Sequence, residues 1–425
     1  MELVSEQMMQ NAMLGQDQLR QRVAWALSQI FVVSAVKVDN THAMVPYIRM
    51  LEQNAFGNVK DIMRDVSLSP AMGEFLDMVN NTKANPNTGT QPNENYSREW
   101  LQLFSIGLQE LNNDGTPMLT NGLPTPTFTQ STIAGLARAL TGWTYGDANT
   151  SDPTNLNPPY YDGPMKPVNN YHDTTQKTVL GQNVAAGQTA RQEFDRVLDI
   201  IFTHHNVGPF LVRQLIQKLV TSNPSPTYIG DVVAVFNNNG QGVRGDLKAV
   251  VRTILLHSEA ANGTATSGKF SEPALFVTTF TRALGATVTD HPFLTDFSQS
   301  MSQRIWFAPS VFNYYSPNFR AGTLFAPEMQ IWTTATAMIR TNFVASLLSG
   351  GFGSSLTVDY TPFRAVASDP ASLVDIVDAR IMGGTMTPAM KQAIVTALGA
   401  ATTTSERVAT AIYLAATAMP YQVEH

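Results

Sequence analysis

Apolar residues recur at helical spacing along most of this chain. Between Gln18 and Ser34 they return every three or four positions, which predicts a helix with one buried face. The same periodicity predicts further helices at residues 42–53, 57–79 (divided near Ser69-Pro70), 191–204, 207–221, 227–237, 245–257, 273–284, 329–348, 371–382 and 387–419. Thr129 is a candidate cap for another helix, which carries Ile133, Leu136, Ala137 and Leu140, and the stretch LNNDGTPMLTNGLPTPT before it favours a short hairpin. Other strand signals are weak, and no repeat of fixed period is found. The pattern therefore predicts a mainly α fold, an irregular multi-helix bundle with long loops and at most a few short strands.

Two stretches interrupt the helical pattern. Residues 80–92 consist almost wholly of turn-forming residues, and residues 145–188 are rich in Asn, Pro, Gly and Asp. An irregular stretch as long as the second is typically functional. We divide the chain into an N-terminal helical part at 1–144, a long irregular loop at 145–190, a helical bundle at 191–350 with an aromatic segment at 304–322, and a C-terminal helical part at 351–425. We expect these parts to form one compact domain.

The sequence NENYSREWLQLFSIGL predicts one long amphipathic helix. Its apolar stripe is Tyr96, Trp100, Phe104, Leu108 and Leu111, and its polar face carries Asn95, Arg98, Glu99 and Gln102. One interpretation is a helix start with an acidic residue near the positive dipole end and an ion pair between Glu94 and Arg98. The other is a site in which Glu94 or Glu99 is a general acid or base and Arg98 binds an anionic group.

Composition narrows the choice of function. Only 14% of the 425 residues are charged and the net charge is -6. The sequence lacks the clustered Lys and Arg that indicate binding to nucleic acid. The chain has no cysteine, which excludes disulfides, thiolate metal sites and a cysteine nucleophile. No apolar run of 18 residues predicts a membrane span, and the N-terminus lacks the pattern of a signal peptide.

The sequence YHDTTQK brings His172, Asp173 and Lys177 into one polar loop. His172 has two interpretations: a histidine on a surface loop, or a site residue paired with Asp173. The histidines of the chain are His42, His172, His204, His205, His257, His291 and His425. No HxH, HExxH or HxxxH spacing occurs among them, so there is no zinc signature. His204 and His205 end a predicted helix, where a cation suits the dipole.

A partial calcium pattern follows the central helix. Glu110, Asn112, Asp114 and Gly115 match the first, third, fifth and sixth positions of a helix-loop calcium site. The twelfth position is Asn121, which cannot supply the bidentate carboxylate. The pattern therefore leaves two interpretations, a Ca²⁺ site and an ordinary Asn-Asp-Gly turn. No nucleotide or haem signature is found, and the GxSxG nucleophile motif is absent.

The aromatic segment RIWFAPSVFNYYSPNFRAG contains Trp306, Asn313 and Tyr314. Its rings suit the wall of a sugar or acyl pocket, and they equally suit packing in the core. Both interpretations stay open at the level of sequence.

Several motifs carry a resemblance to a known family. PNENYSREWLQLFSIGL, ALTGW, YHDTTQKTVLG and SVFNYYSP occur in this order, with DQLRQRVAWALSQIFVVS near the front and AIYLAATAMPYQVEH at the end. With these motifs the chain resembles the bacterial domain-of-unknown-function family 1800 over nearly its whole length. The resemblance implies a mostly helical fold, export to the periplasm or beyond, and frequent occurrence together with sulfatase-like exported proteins. Family members usually begin earlier, with an export signal, so this chain is expected to be truncated at its N-terminus. The family supplies no agreed catalytic residues, but it groups Asn93, Glu94, Asn95, Arg98, Glu99, His172, Asp173, Lys177 and Asn313 as one motif set.

Three functions follow as expectations. The first is an exported hydrolase that cleaves an ester or a lactone, for example an acyl lactone, by carboxylate- or calcium-assisted attack of water. The alternatives are a glycoside hydrolase acting on extracellular polysaccharide and a non-catalytic binding or assembly protein at the cell surface. We favour a hydrolase because the scarce charges gather in two motifs. The expected catalytic residues are Glu94, Glu99, Arg98, His172 and Asp173. The substrate is expected to be a small molecule or a glycan, bound by Asn95, Lys177, Trp306, Asn313 and Tyr314. A metal ion would be bound by Glu110, Asn112 and Asp114.

Overall fold

The computed structural model describes residues 1–149, 151–289 and 292–424. It is mainly α, as predicted, with strands only in short pairs. The chain forms two compact units. Unit 1 consists of Met1, Leu19–Ser267 and Ala308–Asn313, and unit 2 consists of Glu2–Gln18, Gly268–Phe307 and Tyr314–His425. The segment boundaries drawn from the sequence stay predictions.

Unit 1 carries the central motifs. Its helices are α2 (Gln18–Ser28, in unit 1 from Leu19), α3 (Thr41–Gln53), α4 (Val59–Leu68), α5 (Pro70–Phe75), α6 (Asn95–Gln102), α7 (Gln130–Ala139), α8 (Ala190–Thr203), α9 (Val207–Leu219), α10 (Pro226–Asn237), α11 (Leu247–Leu256) and α12 (Ser258–Asn262). Its antiparallel strand pairs are β1 (Leu119–Thr120) with β2 (Leu123–Pro124), β3 (Trp143–Thr144) with β4 (Lys166–Pro167), and β5 (Lys177–Val179) with β6 (Gln182–Val184).

Unit 2 is also helical. Its helices are α1 (Glu2–Leu14), α13 (Pro273–Ala283), α14 (Pro292–Ser300), α15 (Thr334–Leu348), α16 (Thr361–Arg364), α17 (Pro370–Val377), α18 (Pro388–Leu398), α19 (Thr404–Thr417) and α20 (Met419–Gln422). Its strands are β7 (Lys269–Phe270) with β12 (Val423–Glu424), β8 (Thr287–Val288) with β11 (Leu356–Thr357), and β9 (Arg320–Ala321) with β10 (Leu324–Phe325), all antiparallel.

Local signals locate most helix ends correctly. Ser69 separates α4 from α5, with Pro70 at the first turn of α5, as predicted. Thr129 caps α7, and the predicted hairpin after the central helix is β1 with β2. Within the irregular stretch 145–188 the structure adds the β5–β6 hairpin, which the sequence pattern did not indicate.

The central helix is much shorter than predicted. It ends at Gln102, and the amides of Ile106 and Gly107 both donate to the Leu101 carbonyl (3.1 and 2.9 Å), which closes the helix. Gly107 has a φ of +72°, and a Cβ there would lie 2.5 Å from the Phe210 ring. The apolar stripe therefore stops early: Leu108 is 56% exposed, which corrects its predicted place on a buried face.

Three aromatic rings join the motif-bearing elements in the core of unit 1. Trp100 on α6 stacks against Phe194 on α8 with 6.0 Å between ring centroids, and Trp143 meets Phe194 edge-on at 5.4 Å. All three side chains are buried. The helix α6, the ALTGW segment and α8 are therefore held as one packed group.

Within the part of the chain that the structure describes, no helix is both long and apolar enough to cross a membrane.

Candidate functional site

Glu94 joins the start of α6 to the start of α7. Its Oε2 accepts from Arg98 Nη2 (3.1 Å) and from Gln130 Nε2 (2.7 Å). The predicted ion pair between Glu94 and Arg98 is thus confirmed, and both side chains are partly exposed. Gln130, on a different helix, had no sequence signal that linked it to this motif.

Glu99 has a different environment from Glu94. It is buried, although the helical pattern predicted a polar face for it. Burial raises the pKa of its carboxyl group, and the positive charge of Arg98 offsets only part of this effect. No hydrogen-bond partner reaches Glu99 Oε2 among the residues that the structure describes. A buried carboxyl group with a raised pKa can hold and deliver a proton.

A chain of polar contacts starts one helical turn before Glu99. Asn95 Nδ2 donates to Asp77 Oδ2 (3.0 Å), and Lys37 Nζ donates to Asp77 Oδ1 (2.7 Å). Asp77 has a φ of +60°, an uncommon value for a residue other than glycine. Backbone strain of this kind occurs where the surrounding structure holds a side chain in place.

An open groove runs along α7. It has a volume of about 570 Å³, and its walls carry several hydroxyl groups and one guanidinium group, from Thr127, Thr129, Ser131, Thr132, Thr178 and Arg138. Gly135 allows α7 to approach β5, because an added Cβ would overlap the Thr178 carbonyl oxygen. The lining also includes Pro126, Phe128, Ala134 and Leu180, so the groove offers both hydroxyl groups and apolar surface to a ligand.

His172 lies in a buried cluster of charged groups. Its Nδ1 lies 2.9 Å from the Thr141 carbonyl oxygen, and its Nε2 lies 3.4 Å from Glu193 Oε2. Lys177 Nζ lies 2.8 Å from Glu193 Oε1 and 2.7 Å from Glu193 Oε2, and it also donates to the Thr175 carbonyl (2.8 Å). The side chains of His172, Lys177 and Glu193 are fully buried. The prediction of a surface loop histidine is therefore wrong, and the charged partner of His172 is Glu193, not Asp173.

Asp173 pairs with Arg138 instead. Arg138 Nε donates to Asp173 Oδ2 (2.8 Å), and Arg138 Nη2 donates to Asp173 Oδ1 (3.5 Å). Burial alone would raise the pKa of Asp173, but donors from Arg138 and Thr175 and the charge of Lys177 hold it well below its usual range. Asp173 is thus a permanently ionised anchor for α7 at neutral pH.

The two charged motifs each contact α7, at opposite ends of the helix. Glu94 contacts Gln130 at one end, and Asp173 contacts Arg138 eight positions later. At a rise of 1.5 Å per residue, these contacts lie about 12 Å apart along the helix axis. That distance is too long for direct proton transfer between the two motifs.

The aromatic candidates lie in different units. Trp306 and Tyr314 belong to unit 2, where both are buried and Tyr314 Oη donates to the Arg304 carbonyl oxygen (2.5 Å). Asn313 belongs to unit 1, where its Nδ2 donates to Gln29 Oε1 (3.1 Å). The burial of Trp306 and Tyr314 agrees with packing in the core.

The residues of the partial calcium pattern make contacts in different directions. Asp114 Oδ1 accepts from the amide (2.9 Å) and hydroxyl (2.6 Å) of Thr116, and Asn112 Nδ2 donates to Thr116 Oγ1 (3.0 Å). Glu110 Oε2, by contrast, lies 2.8 Å from His205 Nε2. These contacts are those of an ordinary Asn-Asp-Gly turn, and the calcium site stays a prediction.

Glu110, His204 and His205 form a group that sequence spacing did not indicate. Glu110 Oε1 lies 3.9 Å from His204 Nε2, and the two imidazole rings stack with centroids 4.6 Å apart. Burial, with the charges of His205 and Arg244, lowers the pKa of His204 to about 4. His204 is therefore neutral at pH 7, which corrects the prediction of a cation at the end of α8. The adjacent histidines were visible in the sequence, but their carboxylate partner comes from a distant segment.

Fold and contacts together define a mainly helical protein in which Glu94 and Arg98 contact one end of α7 and Asp173 contacts the other. The chain belongs to the family described as protein of unknown function (DUF1800), whose sequence profile matches residues 1–423. This confirms the resemblance drawn from the motifs. No curated protein and no solved structure matches the chain.

Proposed function

We propose that this chain is a hydrolase whose acid–base group is the carboxyl of Glu99. The observation that carries the proposal is that Glu99 is buried, has a raised pKa, and leaves Oε2 without a hydrogen-bond partner among the described residues. A buried carboxyl oxygen without a partner destabilises a fold, which favours a functional reason for its presence.

The surroundings of Glu99 support an acid role for its carboxyl group. Burial raises the pKa of this group, so its environment favours the protonated form. A second carboxyl group, Asp77, accepts from Lys37 Nζ and from Asn95 Nδ2, and Asn95 lies one helical turn before Glu99.

The candidate bonds are a glycosidic bond and the bond of an ester or lactone. Protonation of a leaving-group oxygen assists the cleavage of each, and Glu99 could supply that proton. Five of the residues that line the groove along α7 carry hydroxyl groups, which suit a polyhydroxylated substrate, and Glu99 itself does not line this groove. We therefore place a glycan substrate first. The proposal includes export of the protein, which cell fractionation would test.

Turnover by the purified chain tests this proposal. The chain is assayed against aryl glycosides, aryl esters and acyl lactones, together with Glu99→Gln and the control Glu2→Gln, an exposed residue on α1. We expect Glu99→Gln to lose about 10²–10⁴-fold in kcat while the control keeps its activity. The proposal is wrong if Glu99→Gln matches the unmodified chain, or if the folded chain turns over none of the three classes.

A second candidate is a non-catalytic binding protein. It is favoured by the complete burial of His172 and Lys177 beside an open, hydroxyl-lined groove. These two residues then stabilise the wall of a binding surface and take no part in chemistry. Glycan binding by the chain without turnover, unchanged in Glu99→Gln and weakened in Arg138→Ala, would support this candidate over the hydrolase.

A further inference from the structure

One group of side chains outside the proposed acid–base site has the chemistry of a metal centre. Glu110 Oε2 lies 2.8 Å from His205 Nε2, and Glu110 Oε1 lies 3.9 Å from His204 Nε2. One ligand atom from each of the three residues lies within 4.8 Å of the others. We propose that Glu110, His204 and His205 form a binding site for a divalent transition-metal ion of the zinc class.

The dimensions of the group agree with tetrahedral coordination. Ligand atoms about 2.1 Å from a zinc ion lie roughly 3.4 Å from one another in a tetrahedron. One ligand atom from each residue lies within 4.8 Å of the other two, and the 2.8 and 3.9 Å contacts use different oxygens of Glu110. Because the two imidazole rings stack, they must rotate about their side-chain bonds before both nitrogens and one Glu110 oxygen can surround an ion.

The backbone around the group is rigidly held by Asn206. Its Oδ1 accepts from the Leu111 amide (2.6 Å), and its Nδ2 donates to the Gln109 carbonyl (2.9 Å). Asn206 is fully buried. It thus fixes the segment that carries Glu110 against the turn that carries both histidines, so the three ligands are brought together before an ion arrives.

The donor set selects the kind of ion. Two imidazoles and one carboxylate suit Zn²⁺, Co²⁺ or Ni²⁺, whereas Ca²⁺ prefers six to eight oxygen ligands. Three protein ligands leave a fourth position for water or another ligand. The His205 side chain is 55% exposed, so an ion can reach the site from solvent.

Two contacts oppose binding and limit its strength. The Asn206 amide donates to His204 Nδ1 (3.2 Å), so coordination through Nε2 would put the ring proton on Nδ1 and break this contact. Arg244 Nη2 donates to the His204 carbonyl (3.0 Å), which brings a positive charge close to the site. We therefore expect a dissociation constant of the order of micromolar, weaker than that of structural zinc sites.

The experiment uses the full chain without a histidine tag, treated with EDTA and dialysed. Zn²⁺ binding is measured by calorimetry and Co²⁺ binding by its visible absorption, which reports tetrahedral coordination. We expect one ion per chain, with affinity lowered more than about tenfold in His205→Ala and in Glu110→Gln. The control His42→Ala removes an exposed histidine on α3 and should bind as the unmodified chain does.

Several outcomes would overturn the inference. The first is that the chain does not bind Zn²⁺ or Co²⁺ at 1:1 stoichiometry. The second is that His205→Ala and Glu110→Gln bind the ion as tightly as the unmodified chain, while circular dichroism shows that both variants are folded. A preference for Ca²⁺ that is lost in Asp114→Asn would favour the predicted calcium loop instead. Because metal binding is measured without substrate, and Glu99→Gln should still bind the ion, the result is independent of the proposed hydrolase.

Discussion

Replacement of Lys177 by methionine tests whether the YHDTTQK motif stabilises the fold. Methionine keeps an aliphatic side chain but lacks the ammonium group, which lies 2.8 and 2.7 Å from the two carboxylate oxygens of Glu193. Both side chains are fully buried. Lys177→Met removes this ammonium group and leaves His172 Nε2, at 3.4 Å from Glu193 Oε2, as the remaining contact described for the carboxylate.

The expected loss follows from this burial. Removing one partner of a buried ion pair costs about 3–5 kcal/mol, because the remaining charge stays out of water. For a domain of roughly 150–250 residues, each kcal/mol shifts the melting temperature by about 2–4 °C, which predicts a decrease of about 6–20 °C. The double variant Lys177→Met/Glu193→Met removes both charges and should lose less than the sum of the two single variants.

Thermal and urea unfolding, followed by circular dichroism, measure the effect. The matched control is Lys60→Met, which breaks a partly exposed ion pair with Asp199 and should cost about 1 kcal/mol or less. A melting temperature for Lys177→Met within about 2 °C of the unmodified chain would refute the structural role of the cluster. It would then favour a role for Lys177 in chemistry.

Three further predictions concern single groups. The folded-state pKa of Asp173 lies below its usual 3.8, so the stability that this group contributes is present above that pH and is lost as the pH falls toward the lowered value. The free energy of unfolding of Asp173→Asn should therefore depend less on pH in this range. An unchanged acid-unfolding curve would contradict the pairing of Asp173 with Arg138. The folded-state pKa of Glu99 is raised from 4.5, so the free energy of unfolding should fall as the pH rises from 4.5 through the raised value. Glu99→Gln should therefore be more stable than the unmodified chain at pH 7. A less stable variant would mean that the carboxylate has a structural partner. Gly135→Ala should lower the free energy of unfolding by about 1–3 kcal/mol, because the new Cβ overlaps the Thr178 carbonyl oxygen. An unchanged free energy in urea unfolding would show that α7 can move away from β5.

The sequence by itself determined the mainly α fold and most helix ends. Periodic apolar residues are a local property, and so are caps such as Thr129 and the Ser69-Pro70 boundary between α4 and α5. The ion pair of Glu94 and Arg98 was also predictable, because residues four positions apart on a helix are neighbours. The family could be recognised because its motifs stand in a fixed order along the chain.

Tertiary structure alone decided where the central helix stops and which charges are buried. Gly107 lies against Phe210, a residue on α9, so periodicity extended the helix too far. Glu193 pairs with Lys177 and with His172 across elements, and Glu110 meets His204 and His205 from a distant segment. Ionic partners of this kind are chosen by the packing of helices and loops, and no spacing within a single element encodes them. For the same reason, the burial that raises the pKa of Glu99 comes from packing around α6, although the sequence placed Glu99 on a polar face.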